Sequence, residues 1–142
     1  DHARPLNKRG RRSAPLIGGW LREKGYRPEE VICSDAARTR ETFAGLGTDA
    51  PVSYTRLLYH AEAPEILEVL RGASAGTVAL IGHNPGIGDF AGRIVVRPPT
   101  HPRFHDYPTA ATLIAEFDID RWRDAEFGTA RAVDFVVPRE LE

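Results

Sequence analysis

Two segments of the sequence place a basic side chain and turn-forming residues directly after an apolar run. Ser34 to Thr42 (SDAARTRET) follows one run, and Gly82 to Gly86 (GHNPG) follows another. In an open α/β sheet, ligands bind beyond the carboxyl ends of the strands. There, the guanidinium of Arg38 could bind a phosphate that helix-terminal N–H groups also attract, and the imidazole of His83 would face the same crevice. These residues are the first candidates for phosphate chemistry.

The same residues also allow a purely structural interpretation. Arg38 and Arg40 could lie on a solvated helix face and pair with Glu41, as charged residues on helix surfaces often do. His83 could be incidental to a Gly/Asn/Pro turn. Spacing alone leaves both interpretations open.

A cysteine phosphatase is a competing chemical hypothesis for the first segment. In that class the thiolate and the phosphate-binding arginine stand one residue further apart than Cys33 and Arg38, which bracket only four residues. The shorter spacing would misplace the phosphate-binding loop. A cysteine at the end of a buried strand is typical of a structural thiol, so we expect no catalytic role for Cys33.

Hydrophobic periodicity predicts helices and strands in alternation around these segments. Helices are expected over Asn7–Lys24, Ala36–Leu46, Ala63–Arg71 and Pro85–Ile94, and strands over Val31–Cys33, Val52–Thr55, Thr77–Ile81, Ala110–Phe117 and Arg131–Val137. The continuous apolar character of the third strand predicts that both of its faces are covered. The order implies an α/β three-layer sandwich. Its central sheet would be mostly parallel, with helices on both faces and an antiparallel addition near the C-terminus.

The stretch from Arg97 to Pro108 has no periodicity and is expected to be a long irregular loop. It contains His101, His105 and Asp106, which raise the possibility of a metal site. Histidines four apart share a metal when they lie on a helix, and the four prolines of this stretch argue against one. We expect no metal here and no cofactor elsewhere.

Taken together, several motifs resemble those of SixA-like phosphohistidine phosphatases, which belong to the histidine phosphatase (phosphoglycerate mutase-like) superfamily. They are Asp1–Gly10 (DHARPLNKRG), Ser34–Thr42 (SDAARTRET), Leu58–Ala61 (LYHA), Gly82–Pro85 (GHNP) and Tyr107–Ala111 (YPTAA). Their order and spacing match as well. Each motif is short, and the specificity lies in five of them occurring in order across the chain.

The resemblance implies roles for individual residues. Arg38 would hold the transferring phosphoryl group, and His83 would donate a hydrogen bond to it; both are the expected catalytic residues. Expected beside the substrate are Asn84 as a ligand contact, Ser34 as a cap of the loop or helix, and Arg4. The general acid is not placed securely, and Asp1 and Glu62 are the weak candidates for it.

The histidine nucleophile of this family lies in an Arg-His-Gly or Arg-His-Ala motif at the end of the first strand. No such motif occurs in residues 1–142. The resemblance therefore implies that the nucleophile lies upstream of Asp1, on a strand that is central in the sheet. The expected function is hydrolysis of a phosphorylated substrate, protein phosphohistidine above all, through a phosphohistidine enzyme intermediate. Residues 1–142 on their own would be inactive.

Composition bounds the class of protein. With 142 residues, 42% hydrophobic and 27% charged, we expect one globular domain over residues 1–142. A net charge of -1 gives no field that would attract nucleic acid, and no long apolar run predicts a membrane partner. The single cysteine favours a reducing cytoplasm. Two alternatives stay open, a phosphomonoesterase acting on a small phosphorylated metabolite and an inactive phosphate-binding module; the oligomeric state is not predicted.

Overall fold

A computed structural model describes all of residues 1–142 and has four α-helices and five β-strands. In chain order they are α1 (Lys8–Lys24), β1 (Glu30–Ser34), α2 (Ala37–Leu46), β2 (Val52–Thr55), α3 (Ala63–Arg71), β3 (Val78–Ile81), α4 (Gly86–Ile94), β4 (Thr112–Glu116) and β5 (Arg131–Val136). Each predicted helix and strand is present, with ends that differ by at most two residues. Short 3₁₀ turns occupy Arg56–Leu58, Trp122–Asp124 and Pro138–Leu141.

The strands form two sheets. The first is parallel in the order β2-β1-β3, with Val31 opposite Val52 on one side and Ala79 on the other. The second is the antiparallel pair β4–β5, with a register shift between Ile114 and Ala115. The predicted α/β class, with a parallel sheet and an antiparallel addition near the C-terminus, is confirmed. The addition forms a separate sheet.

Helices cover both faces of the parallel sheet. On one face α1 packs against α2, and on the other α3 packs against α4. Strand β1 alternates between these layers, because successive side chains of a strand point to opposite faces. Val31 and Cys33 pack with Ala50, whereas Ile32 joins the larger core of α3 and α4.

The helix ends follow local chemistry in part. The side chain of Asn7 accepts a hydrogen bond from the N–H of Gly10 at the start of α1, and Gly25 ends that helix with φ 76°. Residue types favour Ser34 and Asp35 as caps of α2, but its N-cap residue is Ala36, which makes no side-chain cap. The side chain of Asp35 bonds to His2.

The crossing of α1 and α2 depends on the absence of a side chain at Gly18. A Cβ atom there would lie 2.0 Å from the carbonyl oxygen of Leu46, so the two helices approach as closely as backbone allows. At the neighbouring Gly19 a Cβ would meet nothing within 4 Å. The α1–α2 layer is therefore tightly packed at this one point.

None of the helices combines the length and the apolar character that a bilayer crossing requires.

Candidate active site

Arg38 and His83 meet at the carboxyl ends of two neighbouring parallel strands. Arg38 lies in the first turn of α2, just after β1, and His83 lies two residues beyond the end of β3. Nη2 of Arg38 is 3.5 Å from Nδ1 of His83. The two side chains that the sequence predicted as catalytic are therefore adjacent, and their roles remain predictions.

The guanidinium of Arg38 is also held by the N-terminal segment. Nη1 donates to the carbonyl oxygen of Asp1 at 3.0 Å, and Nη2 lies 3.5 Å from the Asp1 carboxylate. The Arg38 side chain is only 20% exposed. A partly buried guanidinium paired with an exposed carboxylate can exchange that carboxylate for a phosphate, which accepts the same hydrogen bonds.

His83 is hydrogen-bonded through its other ring nitrogen. Nε2 lies 2.8 Å from Oγ of Ser34, and the ring meets Tyr59 edge-on with centroids 5.4 Å apart. Burial, and then the charge of Arg38, lowers the pKa of His83 to about 4. The imidazole of the free protein is therefore neutral at pH 7.

Ser34 lies beneath this pair, at the last position of β1. It is completely buried, and its Oγ accepts a hydrogen bond from the N–H of Ala36 in addition to the contact with His83. Its carbonyl oxygen accepts from the hydroxyl of Thr39. The sequence predicted a capping role beside the substrate; the structure gives the hydroxyl a partner inside the protein, the imidazole of His83.

Both polar atoms of the Asn84 side-chain amide are hydrogen-bonded within the protein. Nδ2 donates to the carbonyl oxygen of Tyr107 at 2.7 Å, and Oδ1 accepts from the N–H of Gly88 at 3.2 Å. The side chain thus joins the start of α4 to the end of the loop that precedes β4. A substrate contact by Asn84 stays a prediction, and it would require one of these two bonds to open.

Arg4 reaches the site only through Asp1. Its Nε donates to the Asp1 carboxylate at 3.1 Å, and its side chain is 63% exposed. The same carboxylate is 3.4 Å from the hydroxyl of Tyr59. Asp1, one of the two weak candidates for the general acid, therefore lies beside Arg38. The other, Glu62, uses its backbone N–H to bond Glu65 at the start of α3.

A pair that the sequence did not indicate holds the N-terminal segment over the site. Nε2 of His2 lies 2.6 Å from Oδ1 of Asp35, and the carbonyl oxygen of His2 accepts the N–H of Ala37. The hydrogen bond from His2 lowers the pKa of Asp35. The ring of His2 also meets Tyr59 edge-on at 4.8 Å. Only the position of His2 within the DHARPLNKRG motif could have suggested it.

Cys33 is next to the site in sequence and outside it in space. Its side chain is completely buried, its thiol bonds the carbonyl oxygen of Ser34, and burial raises its pKa to about 11. A neutral, inaccessible thiol cannot attack a substrate. The cysteine-phosphatase hypothesis therefore has no support in the structure.

The histidines of the long loop lie elsewhere as well. His101 bonds Glu140, and Asp106 pairs with Arg103. No group of three or more His, Cys, Asp or Glu side chains is arranged to hold a metal ion.

A cleft of about 1890 Å³ opens beside the site, between β3 and β4. Every residue of these two strands lines it, and Arg38 and His83 lie along it. Strand β3 is the edge of its sheet, and β4 pairs only with β5. Protein interiors rarely contain voids much larger than a water molecule. This cleft is far larger than such a void, and the edges of β3 and β4 that border it have no strand partner.

Strand β3 is covered on both faces, as its apolar run predicts, but it is open at one edge. Val78 and Leu80 pack against the core of α3 and α4, and Ala79 and Ile81 pack on the opposite face, yet all four residues are only half-buried. Their apolar character suits a strand with a neighbour on each side. In the structure β3 has a neighbour on one side only.

Comparison with known proteins supplies the lineage. No protein-family profile matches the chain. It is 35% identical to an uncharacterized protein of Mycobacterium tuberculosis, over 98% of this chain and 92% of the relative. An uncharacterized protein of Mycobacterium leprae is 34% identical over 98% of this chain and 89% of its own length.

Solved structures that resemble this chain identify its family. A protein of Nakamurella multipartitia, assigned as a phosphohistidine phosphatase SixA, superposes with a TM-score of 0.84 at 30% identity, over 97% of this chain and 87% of that one. A protein histidine phosphatase SixA complexed with tungstate gives a TM-score of 0.79 at 20% identity, over 100% and 89% of the two chains, and shows the shared fold alone. The resemblance in the motifs is thus matched in three dimensions, and the chain belongs to the SixA-like histidine phosphatase family.

Proposed function

We propose that this protein hydrolyses phosphohistidine in other proteins, through a phosphohistidine intermediate of its own. The observation that carries the proposal is the meeting of Arg38 and His83 at the carboxyl ends of β1 and β3, with 3.5 Å between their nitrogens. Phosphoryl transfer depends mainly on positioning the group and balancing its charge. A guanidinium and an imidazole at one point supply both.

The nucleophile is a histidine on a strand upstream of Asp1, and that strand occupies the cleft between β3 and β4. Two free strand edges face this cleft, and the apolar residues of β3 suit a second neighbour. A strand placed there would end at the same edge of the sheet as β1 and β3. Its last side chain would thus lie beside Arg38 and His83, where a nucleophile must be.

The reaction proceeds in two transfers. A nitrogen of the upstream histidine attacks phosphorus, and the bond between phosphorus and the substrate imidazole breaks. The substrate ring keeps the electron pair and leaves as neutral imidazole when its other nitrogen carries a proton. Water then attacks the phosphorylated histidine, which releases inorganic phosphate and regenerates the nucleophile. Arg38 balances the negative charge of the phosphoryl oxygens throughout.

The experiment compares substrates in the full-length protein. A histidine-phosphorylated peptide and a panel of sugar phosphates are supplied at equal concentration, and phosphate release is measured. We expect turnover of the peptide, because imidazole leaves without help from a strong general acid. Turnover of the sugar phosphates alone would replace the proposal with a metabolite phosphatase. Binding of the peptide without turnover of either substrate would indicate a phosphate-binding module.

A further inference from the structure

We infer that Ser34 is a positioning residue that accepts a hydrogen bond from Nε2–H of His83. When an oxyanion binds beside Arg38, the opposite nitrogen, Nδ1, then takes up one proton from solvent. The inference rests on the proposed function, because it concerns the same site. It assigns Ser34 a role that does not involve touching the substrate.

The tautomer of His83 follows from what faces each nitrogen. Nδ1 faces the guanidinium of Arg38, which has donors and no acceptor. A proton on Nδ1 would point at a cation in the free protein, whereas a proton on Nε2 has the hydroxyl oxygen of Ser34 as its acceptor, so the two contacts together place the proton of the neutral ring on Nε2. From there it is donated to Oγ of Ser34 at 2.8 Å.

The titratable groups around His83 favour its neutral form until an anion binds. Arg38 of α2, His60 after the 3₁₀ turn, His2 of the N-terminal segment and Asp35 after β1 act on its charge, the phenol of Tyr59 packs edge-on against the ring, and the carboxylate of Asp1 pairs with Arg38. Three of them are basic, and together with burial they lower the pKa of His83 to about 4. The carboxylate of Asp35 acts in the opposite direction but is bonded to His2.

An oxyanion between Arg38 and His83 reverses this balance. It offers an acceptor to Nδ1 and offsets the charge of the guanidinium, so the imidazolium becomes the favoured form. Because Nε2–H already donates to Ser34, the proton arrives at Nδ1 without any rotation of the ring. His83 then donates to the anion and Ser34 keeps its bond.

Ser34 can fulfil this role because it is fixed and inaccessible. It is the last residue of a strand that is paired on both sides, and it is completely buried. The N–H of Ala36 donates to the same oxygen at 3.3 Å, which leaves the hydroxyl oriented. A substrate oxygen cannot reach a hydroxyl in that position.

Proton uptake is measured directly with tungstate and the full-length protein. Calorimetric titrations in buffers of different ionisation enthalpy count the protons taken up for each tungstate bound. We expect uptake of about one proton at pH 7, and a tungstate affinity that increases as the pH falls from 9 to 7, by at most about tenfold per unit, over the range in which tungstate stays a dianion. Binding without proton uptake would overturn the inference. The same follows if uptake is undiminished in His83→Gln, since another group would then be taking the proton.

The role of Ser34 is tested by the tautomer of His83. Nitrogen NMR of the free protein should show the Nε2–H form, and Ser34→Ala, which removes the acceptor of that proton, should increase the fraction of the Nδ1–H form. Ser53→Ala, on the exposed part of the neighbouring strand β2, is the matched control and should leave the tautomer unchanged. An unchanged tautomer in Ser34→Ala would contradict the assignment. If Ser34→Ala fails to fold, the Nδ1–H form in the wild-type protein would contradict it alone.

These measurements separate this inference from the proposed function. Proton-coupled tungstate binding in a protein that hydrolyses no phosphohistidine would support the inference and refute the function. Hydrolysis of phosphohistidine with proton-independent tungstate binding would do the reverse.

Discussion

Strands β1 and β3 are neighbours in one sheet, and they differ in the number of strands that pair with them and in how deeply their residues are buried. β1 pairs with β2 on one side and β3 on the other, and residues Val31, Cys33 and Ser34 are completely buried. β3 is as apolar as β1 but pairs on one side only, and its residues are half-buried. The number of strand neighbours separates the two strands, since their side chains are of similar type.

The candidate site lies at the boundary between these two environments. Strand β1, which is paired on both edges, supplies Ser34, and the start of α2 just after it supplies Arg38. The open side supplies His83 and borders the cleft. The difference teaches that Ser34 and Arg38 follow a strand that is paired on both edges, whereas His83 follows a strand with one open edge, where the proposed upstream strand would pair.

The largest expected effect comes from removing either side chain at the boundary. In the full-length protein, Arg38→Ala and His83→Ala should each lower kcat by a factor of about 10² to 10³, because each removes a proposed hydrogen-bond donor to the bound phosphoryl group. Phosphate release from a histidine-phosphorylated peptide measures the effect. Arg40→Ala is the matched control, because Arg40 lies two residues after Arg38 in α2 and its guanidinium stacks on the ring of Tyr54. Full activity in either site variant would remove that residue from the mechanism.

The contrast between the strands can be observed by hydrogen exchange. In a chain of residues 1–142, the amides of β3 and β4 that face the cleft should exchange at least about tenfold faster than in the full-length protein, where the proposed upstream strand would pair with them. The amides of β1 are already paired and should change less. Equal exchange of β3 and β4 in the two chains would show that nothing fills the cleft.

The close contact between α1 and α2 can be tested by stability measurements on two neighbouring glycines of α1. Gly18→Ala should lower the free energy of unfolding by about 1–3 kcal/mol, because its Cβ would collide with the carbonyl oxygen of Leu46. Gly19→Ala meets no neighbour and should raise it by about 0.5–1 kcal/mol, since alanine favours the helix. Urea unfolding measures both. Destabilisation of equal size in the two variants would contradict the close approach of α1 and α2.

A smaller effect than the loss of Arg38 or His83 is expected from the dependence of stability on the protonation of His83. Its pKa is about 4 in the folded protein and 6.5 when unfolded, so only the unfolded state binds a proton between these values. This contribution to stability is complete above pH 6.5 and is lost as the pH falls toward 4. Between pH 7 and 4.5, wild type should lose about 1–2 kcal/mol more than His83→Gln, allowing for partial solvent screening. Equal losses in the two proteins would contradict the shifted pKa.

Local pattern was sufficient to predict the elements and the pairing of Arg38 with His83. The apolar runs of β1 and β3 and the turn residues after them place both side chains at one edge of a parallel sheet. Helix and strand ends were predicted to within two residues because asparagine and glycine mark α1, and glycine ends α2 and α3.

What could not be predicted depends on contacts between segments that are distant in sequence. Asp35, whose residue type favours a cap of α2, bonds instead to His2, 33 positions away in the sequence. The bond between Ser34 and His83 joins residues 49 positions apart. The open edge of β3 depends on which strands lie beside it. An apolar run predicts that a strand is buried, but it does not indicate which segments of the protein cover it.

The most direct test of the account is to locate the phosphoryl group on the enzyme. The full-length protein is mixed briefly with a histidine-phosphorylated peptide, quenched in alkali, which preserves phosphohistidine, and analysed by tandem mass spectrometry. The account predicts a phosphoryl group on a histidine upstream of Asp1 and none on His83. A phosphoryl group on His83, or turnover with no phosphorylated enzyme at any time, would contradict it.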